Sequence, residues 1–316
     1  MKPETQFNAL TDLEKCSWLK SIGAVFLAAF LVFSGLIFLA DGLCSTDRGP
    51  SDEELTAQRF EGLRDNPGEL RAFFLAMPKG GDIHNHLTGA IYAEDLIDEA
   101  SAQNLCINLD NYTVSPNYCG SANSEPIKNS YSDSKLYGQI VDAWSMRDSE
   151  LLDESKRDHF FNTFGVFGGA TSNTSAILAN LRSNAYRENV SYLEIMTGAG
   201  SAAANLGSKT GWDDNFSVLY SKLIDNGLPS VSQSLSNYII DTERNSLSIL
   251  ENKGDPGKNV TVRYIISATR TLSREKVFGQ LAAAFDAANR SGLAVGVTLL
   301  SPEDNYIARE NYSLQM

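Results

Sequence analysis

The chain has 316 residues, of which 42% are hydrophobic and 21% charged, a composition typical of one large or two small globular domains. Its formal net charge is −13, and its lysines and arginines form no cluster of the kind that phosphate binding requires. The composition therefore argues against a nucleic-acid-binding protein and favours a small molecule or another protein as the partner.

An apolar stretch without charges occupies residues 22–40 and is nearly long enough to span a bilayer core. Lys15 and Lys20 precede it and several carboxylates follow it, so the positive-inside rule predicts that residues 1–21 are cytoplasmic and that the rest is exported. Two interpretations stay open. The stretch is either an uncleaved membrane anchor or a cleaved signal segment, which would make the protein secreted or periplasmic. Residues 41–52 are predicted to be a polar linker.

Two lead-in helices are predicted over residues 53–77, with a break at Asn66, Pro67 and Gly68. A cluster of glycine and proline then precedes a short strand over residues 82–87. The motif discussed below therefore lies at the end of a strand.

Helical spacing over residues 91–102 is followed by a polar stretch, 104–132, rich in Asn, Ser, Pro and Gly. We interpret this stretch as an inserted loop or a small stapled subdomain. It contains Cys106 and Cys119, whereas Cys16 and Cys44 flank the apolar stretch, and an isolated pair of this kind fits a disulfide. Two free thiols are the alternative.

The rest of the chain alternates predicted helices and strands. The helices are predicted over residues 135–144, 150–164, 175–188, 212–226, 230–252 and 273–291, and the strands over residues 190–196, 260–267 and 293–300. Such alternation implies a parallel sheet and an α/β fold. Gly198 and Gly200, after the second strand, are predicted to lie in a loop.

Four strands are half of the eight that a closed (β/α)8 barrel needs. No helix is predicted after the fourth strand, so the chain is expected to stop within its architecture. A flavodoxin-like open sheet is the structural alternative.

The sharpest chemical signal is His84-Asn85-His86. In a strand, residues i and i+2 point to the same side, so both imidazoles can reach one ion. Neutral imidazole suits zinc, and an open coordination position on zinc generates hydroxide near neutral pH. A pair of ordinary surface or core histidines is the alternative, but barrel enzymes place catalytic groups at this end of a strand.

The segment around this pair, MPKGGDIHNHLTGAIYAEDL (77–96), resembles the first-strand motif of the adenosine deaminase family, particularly its exported branch. Three later segments resemble the family's next three barrel strands: NVSYLEIM (189–196), VTVRYIISATR (260–270) and AVGVTLLSPEDNY (294–306). The resemblance covers about residues 77–316, so 78–316 is expected to be the N-terminal part of the barrel. The insertion with its cysteine pair also resembles one that exported members carry.

The resemblance implies a (β/α)8 barrel that hydrolyses the 6-amino group of adenosine, a purine nucleoside, to give inosine and ammonia through a zinc-activated water. It makes His84 and His86 zinc ligands and places Thr88, Ser301 and Glu303 against the substrate. Thr88 stands where the family has a carboxylate, and Ser301 stands where many members have glycine. Glu303 matches an acidic residue of the family, although it could equally cap a helix.

In the family, the third zinc histidine, a His-Ala-Gly-Glu segment, a later histidine and an aspartate pair follow the fourth strand, and this chain contains none of them. Its remaining histidine, His159, is predicted to pack within a helix. The chain alone is therefore expected to be inactive. Two alternatives stay open: a membrane-tethered binding or signalling protein without catalysis, and another metal-dependent amidohydrolase.

Overall fold

The computed structural model describes residues 49–147 and 154–316. The chain divides into two compact units, Met1–Phe73 and Phe74–Met316. Within the described ranges, no helix is both long and apolar enough to span a membrane, and the apolar stretch 22–40 lies outside them.

The two lead-in helices are α1 (Asp52–Leu63) and α2 (Pro67–Ala76), as the sequence predicts. α1 begins with a capping box. The Ser51 hydroxyl accepts a hydrogen bond from the backbone N–H of Glu54, and the Glu54 carboxylate accepts one from the backbone N–H of Ser51. Pro67 occupies the first turn of α2, where its missing N–H costs nothing.

The larger unit alternates strands and helices. In chain order its elements are β1 (Gly80–His86), α3 (Ala93–Ala102), β2 (Cys106–Asn108), β3 (Val114–Ser115), β4 (Ser124–Pro126), α4 (Ser134–Trp144), α5 (Lys156–Phe167), α6 (Thr174–Arg187), β5 (Val190–Gly198), α7 (Gly200–Thr210), α8 (Phe216–Asp225), α9 (Leu228–Lys253), β6 (Thr261–Thr269), α10 (Arg274–Ser291), β7 (Ala294–Leu300), α11 (Tyr306–Glu310) and α12 (Tyr312–Gln315).

The main sheet has the strand order β1-β5-β6-β7, and every neighbouring pair is parallel. The four predicted strands and the α/β class are thus confirmed. The sheet is curled, as in a half-barrel, and is compatible with a partial α/β barrel. Its strands follow one another in chain order, whereas a flavodoxin-like sheet reverses its order at a switch point, so that alternative is wrong for these strands.

One face of the sheet is covered by helices and forms the core. Leu193 and Ile195 of β5 and Tyr264 and Ile266 of β6 are buried there, while the residues between them along each strand are only partly buried. This alternation follows from the two-residue period of a strand. The second face stays open, and the candidate site lies on it.

The polar insertion folds as a small subdomain with the antiparallel strand order β3-β2-β4. A disulfide joins Cys106 to Cys119, with the two Cα atoms 5.1 Å apart. Ile107 and Ile127 are fully buried and belong to the same hydrophobic core as Leu96 of α3, so the insertion packs against the rest of the unit.

Three local expectations differ from the structure. Gly198 and Gly200 do not lie in a loop, because Gly198 is the last residue of β5 and Gly200 is the first residue of α7. Of the helix predicted over residues 150–164, residues 150–153 lie outside the described ranges, and α5 starts at Lys156, where the Ser155 hydroxyl caps it by accepting from the N–H of Asp158. The chain also forms two short helices, α11 and α12, after the fourth strand.

Candidate functional site

The two histidines of β1 lie on the same open side of the strand. Asn85, between them, is paired in register with Ile195 and is buried, whereas both imidazoles are exposed. The centroids of the His84 and His86 rings are 5.3 Å apart. The strand geometry thus brings the two rings together as the sequence predicts.

Asp82 organises the backbone that carries this pair. Its carboxylate accepts hydrogen bonds from the backbone N–H of His84 (3.1 Å) and from the Asn85 side-chain amide (2.7 Å). The pairing of β1 with β5 is irregular between Asp82 and Asn85, and Asp82 holds the strand at this irregularity. Sequence reasoning missed this role, although a carboxylate two residues before the histidine was a visible signal.

The electrostatics of the site favour a neutral imidazole at His86. Partial burial and the neighbouring His84 both lower the pKa of His86 below its ordinary value. A neutral imidazole keeps a nitrogen lone pair free, which is the form that binds metal.

The neighbouring strand adds a tyrosine–carboxylate pair to the same face of the sheet. The Tyr192 hydroxyl donates a hydrogen bond to Glu194 at 2.9 Å, and burial together with this bond raises the pKa of Tyr192. Met196, further along β5, lies level with His86. The two histidines therefore lie beside β5, which carries the Glu194 carboxylate and the apolar side chain of Met196.

The three substrate-facing candidates follow the two edge strands. Thr88 is partly buried in a 3-10 turn, Leu87–Gly89, directly after β1. Ser301 and Glu303 follow β7, so two whole strands separate them from Thr88. The structure places all three at the carboxyl ends of the strands but does not bring Thr88 next to Ser301 or Glu303.

Glu303 does not cap the following helix, because that role belongs to Asn305. Its carboxylate instead pairs with Arg270 at 2.7 Å, and the Arg270 guanidinium also donates to the Leu299 carbonyl. Arg270 follows β6, so the Arg270–Glu303 ion pair attaches the loop after β7 to the end of β6.

Ser301 has a φ of 92°, in the left-handed region that favours glycine. We expect Ser301→Gly to stabilise the protein by about 1 kcal/mol, because glycine has no Cβ to strain there. Ser301→Ala is the matched control, since it removes the hydroxyl but keeps the Cβ. Urea denaturation of both variants checks this prediction, and equal stability changes would contradict it.

Helix α5 connects the two edges of the site. A Cβ placed on Gly89, after β1, would lie 3.0 Å from the Phe164 ring, so the ring packs directly on that turn. At the other end of the helix, Arg157 pairs with Asp304, after β7, at 3.0 Å. These contacts join residues 75 and 147 positions apart, and nothing in the sequence indicated them.

No third metal ligand joins the pair in the described part of the chain, where no group of three His, Cys, Asp or Glu side chains could hold an ion. The sequence has only three histidines. The third, His159, is buried in α5, as predicted, with both ring nitrogens in hydrogen bonds. The donor set thus fits two of the ligands of a zinc site and leaves the others unsupplied.

The chain matches no protein-family model, and no curated protein matches it either. The functional assignment therefore depends on the motif residues and their geometry.

Proposed function

We propose that this chain provides the first-strand metal-binding part of an adenosine deaminase-type zinc hydrolase built on a (β/α)8 barrel. The observation that carries the proposal is the His84–His86 pair, on the open face of the first strand of a curled parallel sheet. That position is where barrel enzymes place their catalytic groups.

His84 and His86 would hold the zinc through neutral imidazole nitrogens, and Asp82 fixes the backbone that aims them. When bound, zinc supplies a water of lowered pKa for hydrolysis of the purine 6-amino group. Thr88 and Ser301 offer hydroxyls to the nucleoside from opposite edges of the sheet. Glu303, engaged with Arg270, would shape the loop after β7 that faces the base.

The departures from the family bear on substrate choice. The Thr88 hydroxyl is a weaker hydrogen-bond partner for a ribose than the family's carboxylate. Pro302 lacks the backbone N–H that another residue would offer beside the purine. Because of these two departures, another metal-dependent amidohydrolase on the same barrel is the second candidate function.

Export is part of the proposal. The stretch 22–40 would anchor the protein in the membrane or direct its secretion, with the catalytic fold outside the cytoplasm. A disulfide within the insertion supports an oxidising environment, because such bonds persist there.

We expect the chain to bind zinc weakly, and we expect His84→Ala and His86→Ala each to reduce its affinity by about tenfold or more, because each removes one of two imidazole ligands. Calorimetric titration with Zn²⁺ measures the affinity, and Co²⁺ absorption reports the nitrogen ligands. Ile83→Ala is the matched control, since Ile83 adjoins His84 in the same strand, is 66% exposed and has no metal-binding group. Unchanged zinc affinity in both histidine variants would refute the metal assignment.

Substrate screening separates the candidate activities. We expect the 316-residue chain alone to leave adenosine unchanged, because it supplies no third zinc histidine and no family proton donor. A form that also carries these residues is expected to act on 6-amino and 6-halo purine nucleosides. Turnover of unrelated amides instead would favour the amidohydrolase alternative. In the form that carries these residues, zinc binding without turnover of any substrate would favour a tethered binding protein.

A further inference from the structure

His159 is the third histidine of the chain, and it lies apart from the candidate metal pair. Its exposed fraction is 6%. One ring nitrogen, Nδ1, lies 2.7 Å from a carboxylate oxygen of Glu154, and the other, Nε2, lies 2.9 Å from the backbone carbonyl oxygen of Ser145. The ring therefore connects the residue that follows α4 with the residue that precedes the cap of α5.

Both partners of this ring accept hydrogen bonds. A carbonyl oxygen only accepts, and an ionised carboxylate only accepts, so each ring nitrogen must carry a proton to make both bonds. Only the charged imidazolium has two N–H donors. Burial lowers the pKa of His159, but the hydrogen bonds to Ser145 and Glu154 outweigh it, so that the pKa is raised above its ordinary value.

The surroundings of the ring agree with a positive charge. Among the described residues before α5, Glu154 is the charged group that faces the ring, and the end of α4 faces it with the backbone carbonyls of Asp142 and Ser145. On α5 itself, the neighbouring Asp158 is 61% exposed at its side chain. Asn162, one turn further along α5, donates a hydrogen bond to the second oxygen of Glu154 at 3.0 Å.

The bond to Ser145 reaches a second ion pair. The backbone N–H of Arg147 donates to the Ser145 hydroxyl at 3.2 Å, and the Arg147 guanidinium grips the carboxylate of Glu94 with both terminal nitrogens. Glu94 lies in the first turn of α3. Arg147 and Glu94 also line an open cavity of about 360 Å³ together with Asn184 and Arg187 of α6. The His159 ring on α5 is therefore connected to α3 by successive contacts, first to Ser145 at the end of α4 and then through Arg147 to Glu94.

We propose that His159 forms a pH-dependent attachment between two helices. When its ring is protonated, it holds α5 against the end of α4. When the ring loses a proton, this attachment is released. Deprotonation leaves one ring nitrogen without a hydrogen, so one of the two bonds is lost. The released end of α4 then positions Arg147 less firmly against Glu94. The inference stands independently of zinc binding and of catalysis.

The sign of the pH dependence follows from the raised pKa. The stabilising contribution of His159 is fully present below about pH 6.5, where the ring of an unfolded chain titrates. It is lost as the pH rises through the higher pKa of the folded protein. The attachment of α5 to the end of α4 therefore weakens as the pH rises above about 6.5.

The test is a histidine-ring NMR titration of the full chain, in which three ring signals must be assigned. We expect the pKa of His159 to exceed 6.5, and we expect Glu154→Gln to lower it because the variant removes the negative charge facing Nδ1. Asp158→Asn is the matched control, since it removes a charge from the adjacent but exposed position. This control is expected to leave the pKa of His159 unchanged.

Amide hydrogen exchange supplies the second measurement. After correction for intrinsic exchange, the protection of the Arg147 amide is expected to fall as His159 deprotonates, and in Glu154→Gln the fall should move to lower pH together with the pKa. A purely structural histidine would give no such parallel shift. The proposal is overturned if His159 titrates at or below 6.5, or if Arg147 protection does not follow its titration.

Discussion

Gly279→Ala is expected to destabilise the Phe74–Met316 unit by about 3 kcal/mol, because the added methyl group has no room. A Cβ at Gly279 of α10 would lie 2.6 Å from the Ala203 carbonyl oxygen and 2.8 Å from the Cα of Gly207, both on α7. These neighbours are backbone atoms and cannot rotate away. In the reverse direction, a Cβ at Gly207 would collide with the Glu275 carbonyl oxygen.

Gly138→Ala is the matched control. Gly138 also lies within a helix, α4, but a Cβ there would meet no atom within 4 Å. Replacing it is expected to stabilise the protein by about 0.5–1 kcal/mol, the helix propensity difference between the two residues. Urea denaturation monitored by circular dichroism measures both variants. Equal effects of the two substitutions would show that α7 and α10 do not cross this closely.

The crossing of α7 and α10 also affects the candidate site. Gln280, next to Gly279, is buried; its side-chain oxygen accepts from the backbone N–H of Thr269 at 2.8 Å, and its amide donates to the carbonyl of Gly200 at 3.1 Å. Thr269 ends β6, and Gly200 follows β5. A displaced α10 would therefore shift the carboxyl ends of both central strands, at the edge where the site lies.

The main sheet was predictable because its strands carry their own signal. Continuous apolar runs such as VTVRYIIS indicate buried parallel strands, and the observed β6 differs from the prediction by one or two residues at its ends. Helix α7 was missed for the opposite reason. Its sequence, GSAAANLGSKT, has no broad apolar stripe, and its small residues are explained only by the close contact with Gly279.

The candidate site was predictable only in part. Some of its features depend on neighbouring residues in the sequence, and others depend on contacts between residues far apart in the sequence. The proximity of His84 and His86 follows from the strand period alone. The position of α5 across the site does not, because it depends on the contact of Phe164 with Gly89 and on the ion pair of Arg157 with Asp304. No local pattern encodes such long-range contacts.

The second large effect is expected at a buried ion pair. Arg182 of α6 is 1% exposed, and its guanidinium donates to the Val260 carbonyl at 3.0 Å and to the carboxylate of Glu243 of α9. The other oxygen of Glu243 accepts from the Tyr264 hydroxyl of β6 at 3.1 Å. Two helices and a central strand thus share one charged network beneath the sheet.

We expect Glu243→Ala to cost about 3–5 kcal/mol of unfolding free energy, because it leaves the Arg182 guanidinium buried without a counter-charge. The neighbouring pair of Arg244 and Asp241 is the matched control. It lies on the same helix, but its side chains are 68% and 53% exposed. Arg244→Ala is expected to change the stability by less than about 1 kcal/mol, since water and salt screen an exposed pair.

Removing both charges distinguishes a lost ion pair from lost packing. In the double variant Arg182→Met with Glu243→Leu, no charge is left unpaired, and apolar side chains of similar size fill the space. Replacing a buried pair in this way is often neutral, so the double variant is expected to regain most of the stability that Glu243→Ala loses. Thermal and urea denaturation of Arg182→Met, Glu243→Leu and the double variant give the coupling free energy of the pair. If the double variant were as unstable as the sum of its single changes, the cost would come from packing around Tyr264 and not from the stranded charge.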